Sequence, residues 1–371
     1  MSVAPPRGPA HPHATRDPPS ESLIMETPVG SAHERRHTRS AEPAPGPADH
    51  VAVHRRPPVR AWLQPALVAL VVVAAFVSCY VGLQRDPQPH HVPLAVAGTD
   101  LPGEIQRALG DSVEVRRAAD ADTARRAVEH HDVVAALSTG GPGELRLEVA
   151  GANGTSTTAA VKSLVGAYAQ GARMRVGTED VRPLARFDAR GLAGFYLAFG
   201  VTLAGFVLGS NAVGLAGLLR LRHRFWLLAG ASAAIGAVAA TIAGPVLGAV
   251  PAPVVPLVAT LALLAAAAAF TTKLLGTYLG PIGLPVTTLL LLTVGNATSG
   301  ATIGEDLLPA AARAVSALLP PGAAVRAIAD LSYFHGAHAA GPVMTLALWA
   351  VVAAVLLVPR ARTRRRASAT T

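Results

Sequence analysis

The chain is predicted to be an α-helical polytopic membrane protein, with six transmembrane helices and an extracytoplasmic α/β domain between helices 1 and 2. Three observations lead there. The 371 residues are 51% hydrophobic and only 15% charged, with a mean hydropathy of +0.40, which is not the balance of an ordinary soluble chain. Apolar runs recur at close to the ~20 residues that cross a hydrocarbon core of roughly 30 Å. The basic residues cluster at the edges of those runs, and a six-helix count puts every short cluster on one side.

Residues 1–60 are rich in Pro, His and Arg with almost no apolar periodicity, and read as a disordered cytoplasmic tail. Met25 is an alternative start to Met1. The tail is not a secretory signal, since its apolar run begins too late and lacks a small-residue cleavage site. The run Trp62–Leu83 is transmembrane helix 1 (61–83), and Arg55, Arg56 and Arg60 before it place the N-terminus in the cytoplasm. Five further spans are expected at about 191–219, 225–249, 254–275, 279–297 and 341–359. Helices two and three then join through "RLRHR" (220–224), helices four and five beside Lys273, and helix six ends in the basic tail 361–371. Both termini are cytoplasmic in this topology.

Residues 84–190 form the extracytoplasmic domain. "VPLAVAG" and "DVVAALS" are apolar strand candidates, and "ELRLEVAG" alternates after the turn signal "GGPG". "DADTARRAVEHH" reads as an amphipathic helix opened by an acidic cap, and a further helix starts at "TSTTAAVKSLV". The expected order is strand, helix, strand, helix, two strands, helix.

Between the last two spans lies "GNATSGATIGEDLLPAAARAVSALLPPGAAVRAIADLSYFHG" (295–336), within the membrane domain 191–360. It is expected to form an outer re-entrant or interfacial cap over 296–340. Its Gly and small hydroxyl residues let backbone pack closely where lipid is excluded. "EDLLPAAARAVSALL" reads as an amphipathic helix with acid at its N-terminus, which "PPG" stops before a second short amphipathic piece.

This stretch resembles the sequence near the end of type 2 ABC transporter permeases, in particular the branch related to the phage infection protein family of high-GC Gram-positive bacteria. The resemblance rests on Gly295, Asn296, Ser299, Gly300, Leu307, Leu308, Pro309, Leu319, Pro320, Pro321, Gly322, Tyr333, Phe334 and Gly336. "DADTARRAVEHHDVVAALS" followed by "LRLEVAGANG" is similar to the outer domain of that branch, as is the plan of one helix, a large outer loop and five helices. The resemblance covers about residues 60–360. It implies a bacterial plasma-membrane permease subunit that pairs with itself and with a separate ATP-binding subunit to export a lipid-linked, peptide or drug-like substrate. The class contacts its ATPase through the segment between helices two and three, where this chain offers only "RLRHR".

The remaining residues narrow the function classes. No G-x-x-x-x-G-K-[ST] loop is present to cradle phosphates, so the chain does not itself hydrolyse ATP. No nucleophile elbow or H-E-x-x-H helix occurs, and Ser299 has no His within a span to serve as its base. No Asp or Glu falls inside the six expected helices, which disfavours a proton-coupled carrier. Ser210, Asn211, Ser232, Thr241, Thr287 and Thr288 are candidates to line a substrate path, with helix-packing hydrogen bonds as the plainer reading. Gly205 and Gly209 read as a helix contact, and Glu305 with Asp306 as a solvated helix cap. His335 and His338 lack a third ligand, and the single Cys79 lies in an apolar run, so neither metal nor cofactor is expected. The arginines form no stripe interleaved with aromatics, so membrane lipid rather than nucleic acid is the expected partner. The competing class is a non-transporting scaffold or receptor whose outer domain binds a ligand and whose helices anchor it.

Overall fold

The structure, a computed structural model, describes residues 60–85, 87–214 and 221–367. The expected N-terminal tail before residue 60, the alternative start at Met25, Arg220 of the "RLRHR" link and the last four residues lie outside the described residues.

Five stretches among the described residues are long and apolar enough to cross a membrane: Leu63–Gln84, Ala193–Gly214, Arg222–Val246, Val254–Gly295 and Ala340–Val358. They suit a polytopic membrane protein. They correspond to helices α1 (Arg60–Gln84), α5 (Ala193–Gly214), α6 (Leu221–Thr241, extended by a π turn at Ile242–Val246), α7 (Val254–Leu279) together with the segment from Gly280 to Gly295, and α11 (Ala340–Ala367). The fourth stretch absorbs two expected spans. Gly280 has φ +62, and a Cβ on Gly283 would meet the carbonyl of Leu275. A straight helix would hold those residues about 12 Å apart, so the chain turns back on itself. The returning limb is α8 (Gly283–Thr287), continued as a π turn over Thr288–Gly295.

α7 is the hub, touching α5, α6, α10 (Pro320–Tyr333) and α11. Its run "LALLAAAAAF" has little side-chain bulk, so neighbours approach to backbone distance. A Cβ on Gly205 would lie 2.6 Å from the Ala265 carbonyl oxygen, and one on Gly209 would meet that of Ala269. The small-xxx-small pair of α5 is therefore a helix contact, as its spacing implies. At one end of the bundle the start of α6, the end of α7 and the end of α11 close over Leu228, Phe270 and Leu357. Lys273 is buried there and donates to the Ala212 carbonyl in the last turn of α5, 2.8 Å away. Two boundaries differ from expectation: "LRHR" is the first turn of α6 rather than a loop, and α11 runs on to Ala367 instead of giving way to a tail at 361.

The α/β module hangs from the other end. Strands β1 (Val92–Ala97), β2 (Val113–Ala118), β3 (Ala135–Gly141), β4 (Glu144–Val149) and β5 (Arg175–Asp180) form one sheet in the order β2-β1-β3-β4-β5. All pairs are parallel except the β3–β4 hairpin, registered at Leu137↔Leu147. Alternation along β1 sends Val92, Leu94 and Val96 to one face, where α2 (Leu101–Leu109) and α4 (Thr155–Gly171) cover them. Ala95 and Ala97 face the other way, toward α3 (Ala121–Glu129). The expected order of elements is present, with the acidic cap in place: Asp120 accepts from Thr123 N at 2.7 Å. The fifth strand was not expected, and its "RVGTED" carries no buried alternation.

Sequence reading misassigned the cap's helices. Glu305–Leu307 is a single 3-10 turn, and α9 (Ala310–Leu318) starts only after Pro309, so Glu305 and Asp306 cap no α-helix. "PPG" does not merely end α9. Leu319 before it is extended at ψ 145, the conformation favoured ahead of a proline, and Pro320 and Pro321 are the first residues of α10. The two helices meet at 83°, and α10 lies among α5, α7, α11 and the π turn.

Candidate functional site

The α/β module does not swing freely, because α10 and the loop before it are stitched to it. Phe334, only 1% exposed, sits in the apolar cluster of Ala95, Ala97, Ala124, Val128 and Ala136. The alanines on that sheet face leave the space that its ring fills. His131 stacks on Phe334 with ring centroids 4.0 Å apart, and its Nδ1 lies 2.6 Å from Oδ1 of buried Asp330. His338 pairs with Asp132 at 3.1 Å. Ser156 Oγ donates to Thr302 O, His90 N to Asp306 O, and Ala185 N to Tyr333 Oη. Gly304 passes so close to Thr157, at φ +80, that no side chain would fit there.

This junction forms a partly open cavity of about 290 Å³. The α/β module contributes Pro93 in β1, Val133 and Val134 before β3, His131, Asp132, and Asn153 and Thr157 around the start of α4. α5 contributes Gly194 and Phe195, the linker before it Leu184 and Asp188, and the α6–α7 turn Val250. Ser299, Gly300, Glu305 and Asp306 come from the loop, and Val325, Arg326, Ile328 and Tyr333 from α10.

Its electrostatics are uneven. Arg326 is engaged with Ser316 Oγ at 2.9 Å, Ser316 O at 3.2 Å and Glu305 at 3.7 Å. Asp188 accepts from the backbone N–H groups of Leu192 and Ala193 and so caps α5. The Asp306 carboxylate has no hydrogen-bond or ion-pair partner among the described residues. Burial, and then the charge of Glu305 next to it, push its pKa up to about 6 against the weaker opposing pull of Arg313 and His131. Asn153 donates Nδ2 to Val134 O, which leaves its buried Oδ1 without a partner. A second charged cluster, where Arg125 binds Glu129, Glu148 and Glu179, joins α3 to β4 and β5 and is a structural tie.

Of the motif residues, Ser299, Gly300 and Tyr333 line the cavity. Asn296 and Ser299 are buried, and Ser299 Oγ donates to Asn296 O. Gly295 receives Pro321, Gly322 packs on the Ser316 backbone, and Pro309 precedes α9. The candidate substrate-path residues are met mostly by their own helices. Ser210 and Asn211 both bond to Val207 O, Thr287 to Gly283 O and Thr288 to Leu284 O, each within its own helix. Thr241 is exposed on the bundle's outer surface, and Ser232 is buried in α6. None of the six lines the cavity.

Sequence reasoning missed His131, Asn153 and Asp330, and took Asp306 for part of a solvated helix cap. Only Asp330 carried a signal: it is a lone carboxylate on the same apolar face of α10 as Ala323 and Ala327. Among the described residues no three His, Cys, Asp or Glu side chains are arranged to hold a metal ion. No family model matches the chain, and neither does any curated protein or solved structure.

Proposed function

We propose that the chain is the membrane permease subunit of an exporter, working as a homodimer with a separate ATP-binding subunit. The observation that carries this reading is the junction cavity: its walls belong at once to the α/β module, the mouth of the helix bundle and the re-entrant helix α10. A compartment at the end of a bundle is where a substrate leaving it would be received.

In this reading the bundle crosses the plasma membrane six times, with α7 and the returning limb as separate spans. That limb, residues 283–297, is about 22 Å of helix at ~1.5 Å per residue, short of a hydrocarbon core of roughly 30 Å. The shortfall is met by α10, whose Pro321 packs on Gly295 and which covers the irregular backbone that lipid would not tolerate. The end bearing Arg222, Arg224 and Lys273 faces the cytoplasm, and so do both termini. The α/β module is then extracytoplasmic. The second reading, a receptor or scaffold, draws on the short connection between Gly214 and Leu221, which gives an ATPase little to grip.

The test is to tag the C-terminus, solubilise native membranes in mild detergent and identify what co-purifies. A stoichiometric ATPase whose hydrolysis rises with this chain present supports the permease. Recovery of the chain alone, with drug and lipid export unchanged on deletion, supports the receptor.

A further inference from the structure

The cavity's wall is not neutral. Four carboxylates line it, Asp132, Asp188, Glu305 and Asp306, against the guanidinium of Arg326 and the imidazole of His131. Both are already committed, Arg326 to Ser316 and Glu305 and His131 to Asp330. Asp132 is matched by His338 and Asp188 by the backbone of α5. Two acceptors are left: Asn153 Oδ1, buried without a partner in an amide held in orientation by its bond to Val134 O, and the partly exposed Asp306 carboxylate, which has no hydrogen-bond or ion-pair partner among the described residues. A buried acceptor without a donor costs free energy that a ligand supplying the donor would recover. An anion would find no free cation and two acceptors. A neutral apolar molecule would leave both acceptors desolvated.

The other wall is apolar, with Leu184, Phe195, Val250, Val325 and Ile328. Mixed walls of this kind, mostly hydrophobic with a few convergent polar groups, are what small-molecule sites present. We propose that the junction cavity binds a protonated amine carried on an apolar body, the ammonium drawn to Asp306 and Asn153 and the body laid against the apolar wall. The inference rests on reading the cavity as the chain's working site, and it names the substrate class of the exporter proposed above.

Binding is measured on the full chain in lipid nanodiscs at pH 7.5, with no ATPase present. The probe is dansylcadaverine, an aromatic sulfonamide ending in a primary amine, and its control is the dansyl amide of pentylamine, which has the same body and no cation. Saturable fluorescence enhancement is expected with the first and not with the second. Asp306→Asn should weaken binding at least about tenfold, the scale of one charge-assisted hydrogen bond. Ala329→Trp, which fills the cavity from α10, should abolish saturable binding while leaving partition into lipid unchanged. Equal affinity for the neutral control, or unaltered binding by both variants, would overturn the proposal. Its failure alongside a co-purifying ATPase leaves the permease intact; amine binding with no ATPase partner removes the permease and keeps the site.

Discussion

Asp306→Asn is expected to make the free protein more stable at neutral pH. The carboxyl has a pKa of about 6 in the folded chain against 3.8 ordinarily, so between those values the native state holds a proton that the unfolded state has released. Stability therefore falls as pH rises from about 4 to about 6 and stays lower above it. Two units at 1.36 kcal/mol each give roughly 3 kcal/mol. The side chain is only partly buried and solvent screens it, so roughly 1–2 kcal/mol is the realistic penalty. Asparagine keeps the shape and cannot ionise. In nanodiscs the variant should melt roughly 2–4 °C above the unmodified chain at pH 7.5, and the gap should close steadily toward pH 4. A variant that melts lower at pH 7.5, or a gap that ignores pH, would refute the account of Asp306 as a partly buried, unpaired carboxylate. The same substitution should lose amine binding, and a gain in stability with a loss of binding is the pattern expected when a site stores unfavourable electrostatics for its ligand.

Amine binding by the unmodified chain should itself weaken as pH falls through about 6, because protonation of Asp306 removes the anion while the amine stays charged; a probe titration from pH 8 to 5 reads this. Glu305, Arg313, Arg326 and His131 also face that region, so Asp306→Asn must flatten the curve for the assignment to hold. Phe334→Ala should cost about 3–5 kcal/mol by emptying a closed apolar slot, seen as faster proteolysis within 180–190. Gly209→Leu should prevent α5 from seating on α7, and the chain should fail to survive size-exclusion in mild detergent. Pro320→Ala with Pro321→Ala removes the constraint that keeps Leu319 extended, so α9 and α10 should straighten and expose the cap to protease; unchanged cleavage there would count against that role.

The α/β module was largely legible in the sequence because its signals are local. Asp120 caps α3, "GGPG" turns β3 into β4, and alternation marks the strands. β5 was not legible, since it is a polar edge strand held by register with β4 alone. Apolar length announced the bundle, and the break expected between the spans at 254–275 and 279–297 falls close to Gly280, where the chain turns back; it could not show that the returning limb is a short helix continued by a π turn. The hydroxyl residues singled out as a path share a weakness: Ser and Thr within helices bond back to their own turn, so side-chain polarity did not distinguish a lining from a satisfied helix. The cavity was invisible for another reason. His131 and Asp330 are 2.6 Å apart in space and 199 residues apart in the chain, and no periodicity encodes such a meeting. The resemblance drew attention to the right stretch, though to its prolines and glycines more than to Asp306.

Phe334 also sets an order of events during synthesis. Every strand and helix of the α/β module is complete by residue 180, long before the ribosome reaches the ring that fills its alanine-lined slot. Until then the nascent module has an open hydrophobic notch. Its closure must await the emergence of α10 and the pairing of Asp330 with His131. The last-made part of the chain thus serves as a latch on its first half, and a truncation ahead of residue 334 should leave a module that is fully translated yet visible to chaperones.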